Sequence, residues 1–158
     1  MAIFLTGALG HFFILEPTEV NGRSMEATLF DQDVIGIEKI SLLFKTPKRG
    51  QIVSVFDEYN NILLVKRVIG LPGEQVVIKG GRVFIIDKTG KETELDEPYL
   101  QRGTVTLPST GKEAVYPVIP ENEYFIMGDN RTRSTDSRSY GTVHRSEIIG
   151  AVRQLFKR

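Results

Sequence analysis

The chain has 158 residues, a length that suits one domain with a hydrophobic core. Its 20 basic and 20 acidic residues cancel to a formal net charge of zero, so the sequence predicts no nucleic-acid partner, which a strongly basic surface would attract. The absence of cysteine excludes disulfides, thiolate nucleophiles and cysteine-bound zinc, and the two histidines have no metal-ligand spacing, so we expect neither a metal nor a cofactor.

The chain begins with an apolar run from Ala2 to Leu15, which His11 interrupts and Glu16-Pro17 closes. The run is shorter than the ~20 residues that a membrane-spanning helix needs. A signal peptide would carry a basic stretch before the apolar run and a small-x-small cleavage site after it, and both are missing. On these residues alone, a core helix and the lower end of a transmembrane anchor remain equally good interpretations.

Beyond Pro17 the sequence favours a mainly β domain, because short β-branched segments alternate with glycine, proline and acidic turns. Strands are predicted at Val34–Ile37, Ile52–Phe56, Ile62–Ile69, Val76–Ile78 and Val83–Ile86. The last two flank Lys79-Gly80-Gly81, and paired glycines supply the positive φ angles of a tight hairpin turn. We therefore expect a hairpin at this point of the chain.

The second half of the chain is more polar. Residues 87–122 carry four prolines and predict a loosely structured insertion with short strands. A strand at Tyr124–Met127 leads into a polar loop, residues 128–141. A short helical turn around Arg145 to Ile149 and a strand from Ala151 to Phe156 are predicted to end the chain.

Two segments place a reactive side chain in an unusual setting. Ser24 lies in a turn after an apolar entry, where a serine is most often only a turn residue. Lys66 lies inside an apolar strand, and strand alternation directs Lys66 and Arg67 to opposite faces. Either one of the two lies among apolar side chains, or both sit near a strand end and reach water through their long stems.

The polar loop at 128–141 is the third such segment. It holds two aspartates and three arginines among serines and threonines, directly after an apolar strand. Such a loop is either solvated or built as an internal lattice of ion pairs and hydrogen bonds.

Together the three segments resemble the conserved motifs of the bacterial type I signal peptidases. Ser24 to Leu29 is similar to the family's Ser-Met-x-Pro-Thr-Leu, and Lys66 to Gly73 to Lys-Arg-Val-Ile-Gly-x-Pro-Gly. Gly128 to Arg138 matches Gly-Asp-Asn-Arg-x-x-Ser-x-Asp-Ser-Arg at every fixed position. The motifs occur in the family's order, and the similarity extends from Val20 to Val152. One departure is Ala27 in place of proline, which predicts a less rigid serine loop and unchanged chemistry.

The resemblance implies a signal-peptidase-type catalytic domain, a β-barrel or coiled sheet with short helical turns and a small insertion. It implies that the enzyme is a serine endopeptidase with Ser24 as nucleophile and Lys66 as general base. Ser134 is expected to orient Lys66 by a hydrogen bond. The other supporting residues are Asp136 and Arg138, expected to form a salt bridge, together with Asp129 and Arg67. The backbone N–H of Ser24 is expected to hold the oxyanion.

The resemblance also implies the substrate and the cellular location. The partners are signal-peptide-bearing preproteins with small residues before the cut, and membrane lipid. Candidate substrate-binding residues are Val20, Gly22, Met25, Leu29 and Val65. The catalytic domain is expected on the extracytoplasmic face of the bacterial plasma or inner membrane. Residues 1–16 are then a short or truncated anchor, and residues 17–158 the catalytic domain, with the variable insertion at 87–122.

Two other functions fit parts of the pattern. A self-cleaving repressor-type Ser–Lys protease shares the catalytic logic, but it needs a DNA-binding helical domain, and only a short apolar segment precedes the motifs. The other function is that of a membrane-tethered β module that binds peptides without cutting them. Loss of Ser24 or Lys66 would favour it, but both residues are present.

Overall fold

A computed structural model describes residues 15–156, and most of its regular structure is β. The strands in this range are β1 Leu15–Glu19, β2 Val34–Glu38, β3 Ile52–Asp57, β4 Ile62–Gly70, β5 Gln75–Lys79, β6 Arg82–Ile86, β7 Glu92–Glu94, β8 Ala114–Val115, β9 Glu123–Met127, β10 Val143–His144 and β11 Ile148–Phe156. The short helices are α1 Ser41–Phe44, α2 Ser137–Tyr140 and the 3-10 turn Arg145–Glu147. The prediction of a mainly β fold is confirmed.

Two antiparallel sheets contain these strands. The larger sheet has the order β1-β2-β11-β3-β4-β9-β10, and the smaller one the order β7-β6-β5-β8. Strand β4 lies in the interior of the larger sheet, paired with β3 on one side and with β9 on the other. Ile62 and Leu63 at the start of β4 are exposed, whereas its residues from Lys66 to Gly70 are buried.

Three hydrophobic clusters form the core. One packs β3, β4 and β9 together around Val53, Val68 and Ile126. A second, which includes Ile78 and Phe125, joins the two sheets. The third lies beneath the loop between β1 and β2 and contains the buried side chains of Val20, Met25, Leu29 and Ile35. This third cluster fixes the loop that carries Ser24.

Most predicted strands are present with small differences at their ends. The hairpin of β5 and β6 turns at Gly80 and Gly81, whose φ angles of 57° and 78° are those that paired glycines permit. The helical turn near Arg145 is confirmed as a 3-10 turn. The last strand was predicted to begin at Ala151 and begins at Ile148. A register shift between Ile148 and Gly150 lets these earlier residues pair with β3.

Several elements are not predicted from the sequence, among them β1, α1, α2 and β10. Strand β1 contains Pro17, where the apolar run was expected to close, and β1 is at the edge of the sheet, where a residue without an N–H is tolerated. Helix α1 is only four residues long and is too short for a periodic pattern. Of the predicted N-terminal segment, residues 1–14 lie outside the described residues, so the division into anchor, catalytic domain and insertion remains a prediction. Between residues 15 and 156, no helix is long and apolar enough to cross a membrane.

Candidate active site

Ser24 lies in the loop between β1 and β2, where it is half-buried. The N–H groups of Thr28 and Leu29 both donate to the carbonyl of Met25, at 2.8 and 2.9 Å, which closes a tight turn just after the serine. Because Met25 and Leu29 are buried in the cluster below, the turn is anchored from beneath. This arrangement holds the Ser24 hydroxyl in a fixed position at the surface of the core.

Lys66 projects from the middle of β4 and is only 3% exposed. Its Nζ lies 3.0 Å from Oγ of Ser24 and 3.2 Å from the carbonyl oxygen of Val65. Burial lowers the pKa of Lys66 below its ordinary value, and the negative charge of Asp136 only partly offsets this effect. The amine therefore becomes neutral at a lower pH than a lysine in water, and a neutral amine can accept a proton from the hydroxyl beside it.

Arg67 follows Lys66 on β4 and is also buried, at 7% exposure. Its Nε and Nη2 donate to the two carboxylate oxygens of Asp129, at 2.8 and 2.5 Å, and Nη1 donates to the carbonyl of Gly50 at 2.7 Å. The ring of Tyr99 lies 3.8 Å from the guanidinium carbon. The interpretation in which both basic side chains reach water is wrong: Arg67 is ion-paired, and Lys66 is enclosed.

The loop from Gly128 to Arg138 is an ordered network. Nε and Nη2 of Arg138 donate to the two oxygens of Asp136, each at 2.8 Å, so the expected salt bridge is present. Asp136 also accepts a hydrogen bond from the N–H of Gly128 at 2.9 Å and caps α2. Burial alone would raise the pKa of Asp136, but the hydrogen bonds and charge of Arg138 outweigh it and hold the pKa below its usual value. The carboxylate therefore stays charged.

The hydrogen bond expected between Ser134 and Lys66 is not among the contacts of the Lys66 amine. Nζ of Lys66 donates to Oγ of Ser24 and to the carbonyl of Val65, and the Ser134 hydroxyl lies close enough to Asp136 to help lower the pKa of that carboxyl. Ser134 packs instead against Gly128: a Cβ at position 128 would lie 2.2 Å from Oγ of Ser134 and 2.4 Å from the carbonyl oxygen of Ser24. Close packing of the loop against the serine turn sets the position of Ser134.

The residues predicted to bind substrate lie around Ser24. Val20, Met25 and Leu29 are buried together, and Val65 packs against them while half-buried. Gly22 is exposed with a φ of 103°, and its N–H donates to Asp31. The structure thus packs Val20, Met25, Leu29 and Val65 together, the first three buried and not open, and leaves Gly22 outside this cluster. Their role in substrate binding remains a prediction.

Four residues that were not among the predicted site residues contact this network. Oγ1 of Thr28 donates to Asp129 at 2.5 Å, and the backbone N–H of Asn130 donates to the carbonyl of Ser24 at 2.9 Å. Glu97 and Tyr99 reach the same region from the insertion. Thr28 and Asn130 lie within the motifs, where their presence is a signal. Glu97 and Tyr99 lie in the weakly matched insertion, where no sequence signal distinguishes them from solvated residues.

Three comparisons with known proteins agree on one family. The family profile described as signal peptidase, peptidase S26, matches residues 1–156. The signal peptidase I of Bacillus licheniformis is 37% identical over 146 residues, which are 91% of this chain and 77% of that protein. Signal peptidase I T of Bacillus subtilis strain 168 is 35% identical and covers 99% of this chain and 80% of its own length. A crystal structure of a signal peptidase I from Enterococcus faecalis V583 superposes with a TM-score of 0.55 at 28% identity, covering 68% of this chain and 97% of that one.

Proposed function

The chain belongs to the signal peptidase family, peptidase S26, and is a serine peptidase that removes signal peptides; within that frame we propose that Ser24 is the nucleophile and Lys66 the general base. The observation that carries the proposal is the 3.0 Å contact between Oγ of Ser24 and Nζ of a buried Lys66. This geometry joins an otherwise weak nucleophile to the group that activates it.

The first chemical step is attack on the scissile carbonyl. Neutral Lys66 takes the proton of the Ser24 hydroxyl as Oγ bonds to the carbonyl carbon, which forms a tetrahedral intermediate with a negative oxygen. The ammonium of Lys66 then gives this proton to the leaving amine as the peptide bond breaks, which leaves an acyl-enzyme on Ser24. In the second half of the reaction a water attacks the acyl carbon, and Lys66 again accepts a proton and returns it to Oγ.

The negative oxygen of the intermediate needs a hydrogen-bond donor. The backbone N–H of Ser24 makes no hydrogen bond to another described residue, so it is available to the oxyanion. Position 22 is a glycine and supplies no side-chain hydroxyl. We assign the oxyanion contact to the N–H of Ser24, because the anchored turn holds that donor in place before substrate arrives.

Specificity for small side chains is assigned to the apolar cluster beside Ser24. A signal peptide bound in an extended form would present its small residues to Val20, Met25, Leu29 and Val65. Three of these four side chains are already buried in the core beneath the serine turn. A large side chain before the cleavage site would have to displace them, so we expect a preference for small residues such as alanine.

We also propose that the enzyme works at the membrane, with the catalytic domain on the extracytoplasmic face. The apolar run from Ala2 to Leu15 supports this proposal by its composition. Signal peptides are themselves apolar and reside in the bilayer, so a peptidase that contacts lipid meets its cleavage site where the substrate is held.

Cleavage of a signal-peptide-bearing preprotein by purified protein tests the proposal. Ser24→Ala is expected to lose activity by several orders of magnitude while melting near the wild-type temperature, because the hydroxyl contributes chemistry and not packing. Ser139→Ala is the control, since Ser139 is an exposed serine of α2. Preprotein processing by Ser24→Ala near the wild-type rate would exclude Ser24 as the nucleophile.

A further inference from the structure

The carboxylate that pairs with Arg131 comes from outside the loop in which Arg131 lies. Its side chain is 0% exposed, and its guanidinium contacts both carboxylate oxygens of Glu97, with Nη1 at 3.1 Å from Oε2. Nη1 also donates to Oγ1 of Thr106 at 2.7 Å. Glu97 and Thr106 both belong to the insertion at 87–122. A buried arginine without its carboxylate partner is strongly destabilising, so this part of the insertion and the loop depend on each other.

Arg131 transmits this contact to the serine turn. Its Nε donates to the carbonyl of Gly128 at 3.0 Å, and the N–H of Gly128 in turn donates to Asp136. Gly128 packs so closely on Ser24 that a Cβ would lie 2.4 Å from the serine carbonyl. A displacement of the Arg131 guanidinium therefore moves a backbone segment that is in direct contact with the proposed nucleophile.

Tyr99 provides a second connection to the dyad. Its hydroxyl donates to Oε1 of Glu97 at 2.7 Å, and its ring lies 3.8 Å from the guanidinium carbon of Arg67. Arg67 is the neighbour of Lys66 on β4 and holds Asp129. Glu97 thus contacts Arg131, whose Nε holds the carbonyl of Gly128, and Tyr99 contacts Arg67, the neighbour of Lys66 on β4.

We propose that Glu97 is a positioning residue for the Ser24–Lys66 dyad, acting through Arg131 and assisted by Tyr99. The inference rests on the proposed function. The network contains three buried arginines. The carboxylates that pair with two of them, Arg67 and Arg138, come from the loop between Gly128 and Arg138. The third carboxylate comes from the insertion, so residues 87–122 contribute to the active-site geometry.

The proposal predicts what happens when the Glu97 carboxylate is removed. Arg131 then loses its ion pair, and its guanidinium holds the carbonyl of Gly128 less firmly. The bonds from Gly128 to Asp136 and from Asn130 to Ser24 remain, so we expect a small shift of this segment that lets water reach Lys66. Asp136 is the charged group whose field acts on the Lys66 amine, and it lies in the same loop. Solvation of Lys66 restores its preference for the charged form, so activity should begin at a higher pH than in the wild type.

The experiment compares Glu97→Gln and Glu97→Asp with Glu94→Gln, an exposed carboxylate of β7 that pairs with Arg82. We measure kcat and KM for a signal-peptide substrate across pH, well below each melting temperature. Glu97→Gln is expected to lower kcat by about ten- to a hundredfold, as small displacements of reacting groups do, with little change in KM. Its activity should rise at higher pH than that of the wild type, Glu97→Asp should recover part of the rate, and Glu94→Gln should match the wild type.

A purely structural role gives a different result. If Glu97→Gln lowers only the melting temperature while the folded protein keeps the wild-type kcat and pH profile, the inference is wrong. If Glu97→Gln fails to fold, Tyr99→Phe is the deciding variant, because it removes the hydrogen bond to Glu97 and keeps the ring beside Arg67. A reduced kcat with activity that begins at a higher pH supports the inference. A wild-type kcat and pH profile overturn it. Ser24→Ala is assayed in parallel, since activity in that variant would overturn the proposed function itself.

Discussion

Arg67→Lys tests the geometry of the buried network because it keeps the charge and changes only the arrangement of donors. Lysine has one nitrogen where arginine presents a planar fork, so it cannot donate to both oxygens of Asp129 and also reach the carbonyl of Gly50. It also loses the planar contact with Tyr99. Because Lys66 and Arg67 lie on opposite faces of β4, the substitution Arg67→Lys leaves the Lys66 amine in place. We therefore expect Arg67→Lys to retain more activity than Lys66→Arg.

The magnitude follows from the contacts that are lost. A hydrogen bond to a charged group contributes ~1.5–3 kcal/mol, and at least one such bond disappears together with the Gly50 contact. We expect a loss of about 3 kcal/mol in the free energy of unfolding. For a chain of this size that corresponds to a decrease of roughly 6–12 °C in the melting temperature.

The assay is thermal unfolding of Arg67→Lys beside Arg82→Lys. Arg82 forms an exposed ion pair with Glu94, and such pairs contribute only ~0–1 kcal/mol, so Arg82→Lys should melt close to the wild type. If Arg67→Lys melts as high as Arg82→Lys, the buried network does not stabilise the domain as described.

Two further changes test the packing of the site and the role of the N-terminus. Gly128→Ala introduces a Cβ that would lie 2.4 Å from the carbonyl oxygen of Ser24, so we expect loss of cleavage and a destabilisation of about 1–3 kcal/mol; a wild-type rate and melting temperature would contradict the close contact. Deletion of Ala2 to Leu15 should improve solubility and preserve cleavage of a soluble peptide, because we interpret that apolar run as a membrane-directed segment. Unfolding of the shortened protein would instead identify the run as part of the core.

The sequence predicts the strands well because their cause is local. β-Branched residues and glycine turns determine β2 to β6 within a few residues of each position, and the paired glycines at 80 and 81 specify the hairpin by their φ angles alone. Strand β1 is missed because Pro17 is acceptable only at a sheet edge, and edge position depends on the pairing of distant strands.

The candidate site, too, is predictable from the sequence only where the cause is local. Motif resemblance indicates Ser24 and Lys66, and the apolar context of β4 indicates the burial of Lys66. The contact between Glu97 and Arg131 spans 34 positions and joins two segments that each look solvated when considered alone. The contact between Ser134 and Lys66 was expected from resemblance, and the Lys66 amine instead donates to Ser24 and to the carbonyl of Val65, partners that depend on how distant segments pack.

The dependence of preprotein cleavage on pH in the wild type, Lys66→Arg and Lys66→Ala tests the central claim most directly. Burial lowers the pKa of Lys66, and only the neutral amine accepts a proton, so wild-type activity should rise with pH through a value below the ordinary lysine pKa of 10.5. Arginine keeps the positive charge but cannot give up its proton, so we expect Lys66→Arg and Lys66→Ala to be equally inactive while folded. Substantial cleavage by Lys66→Arg would show that Lys66 is not the general base.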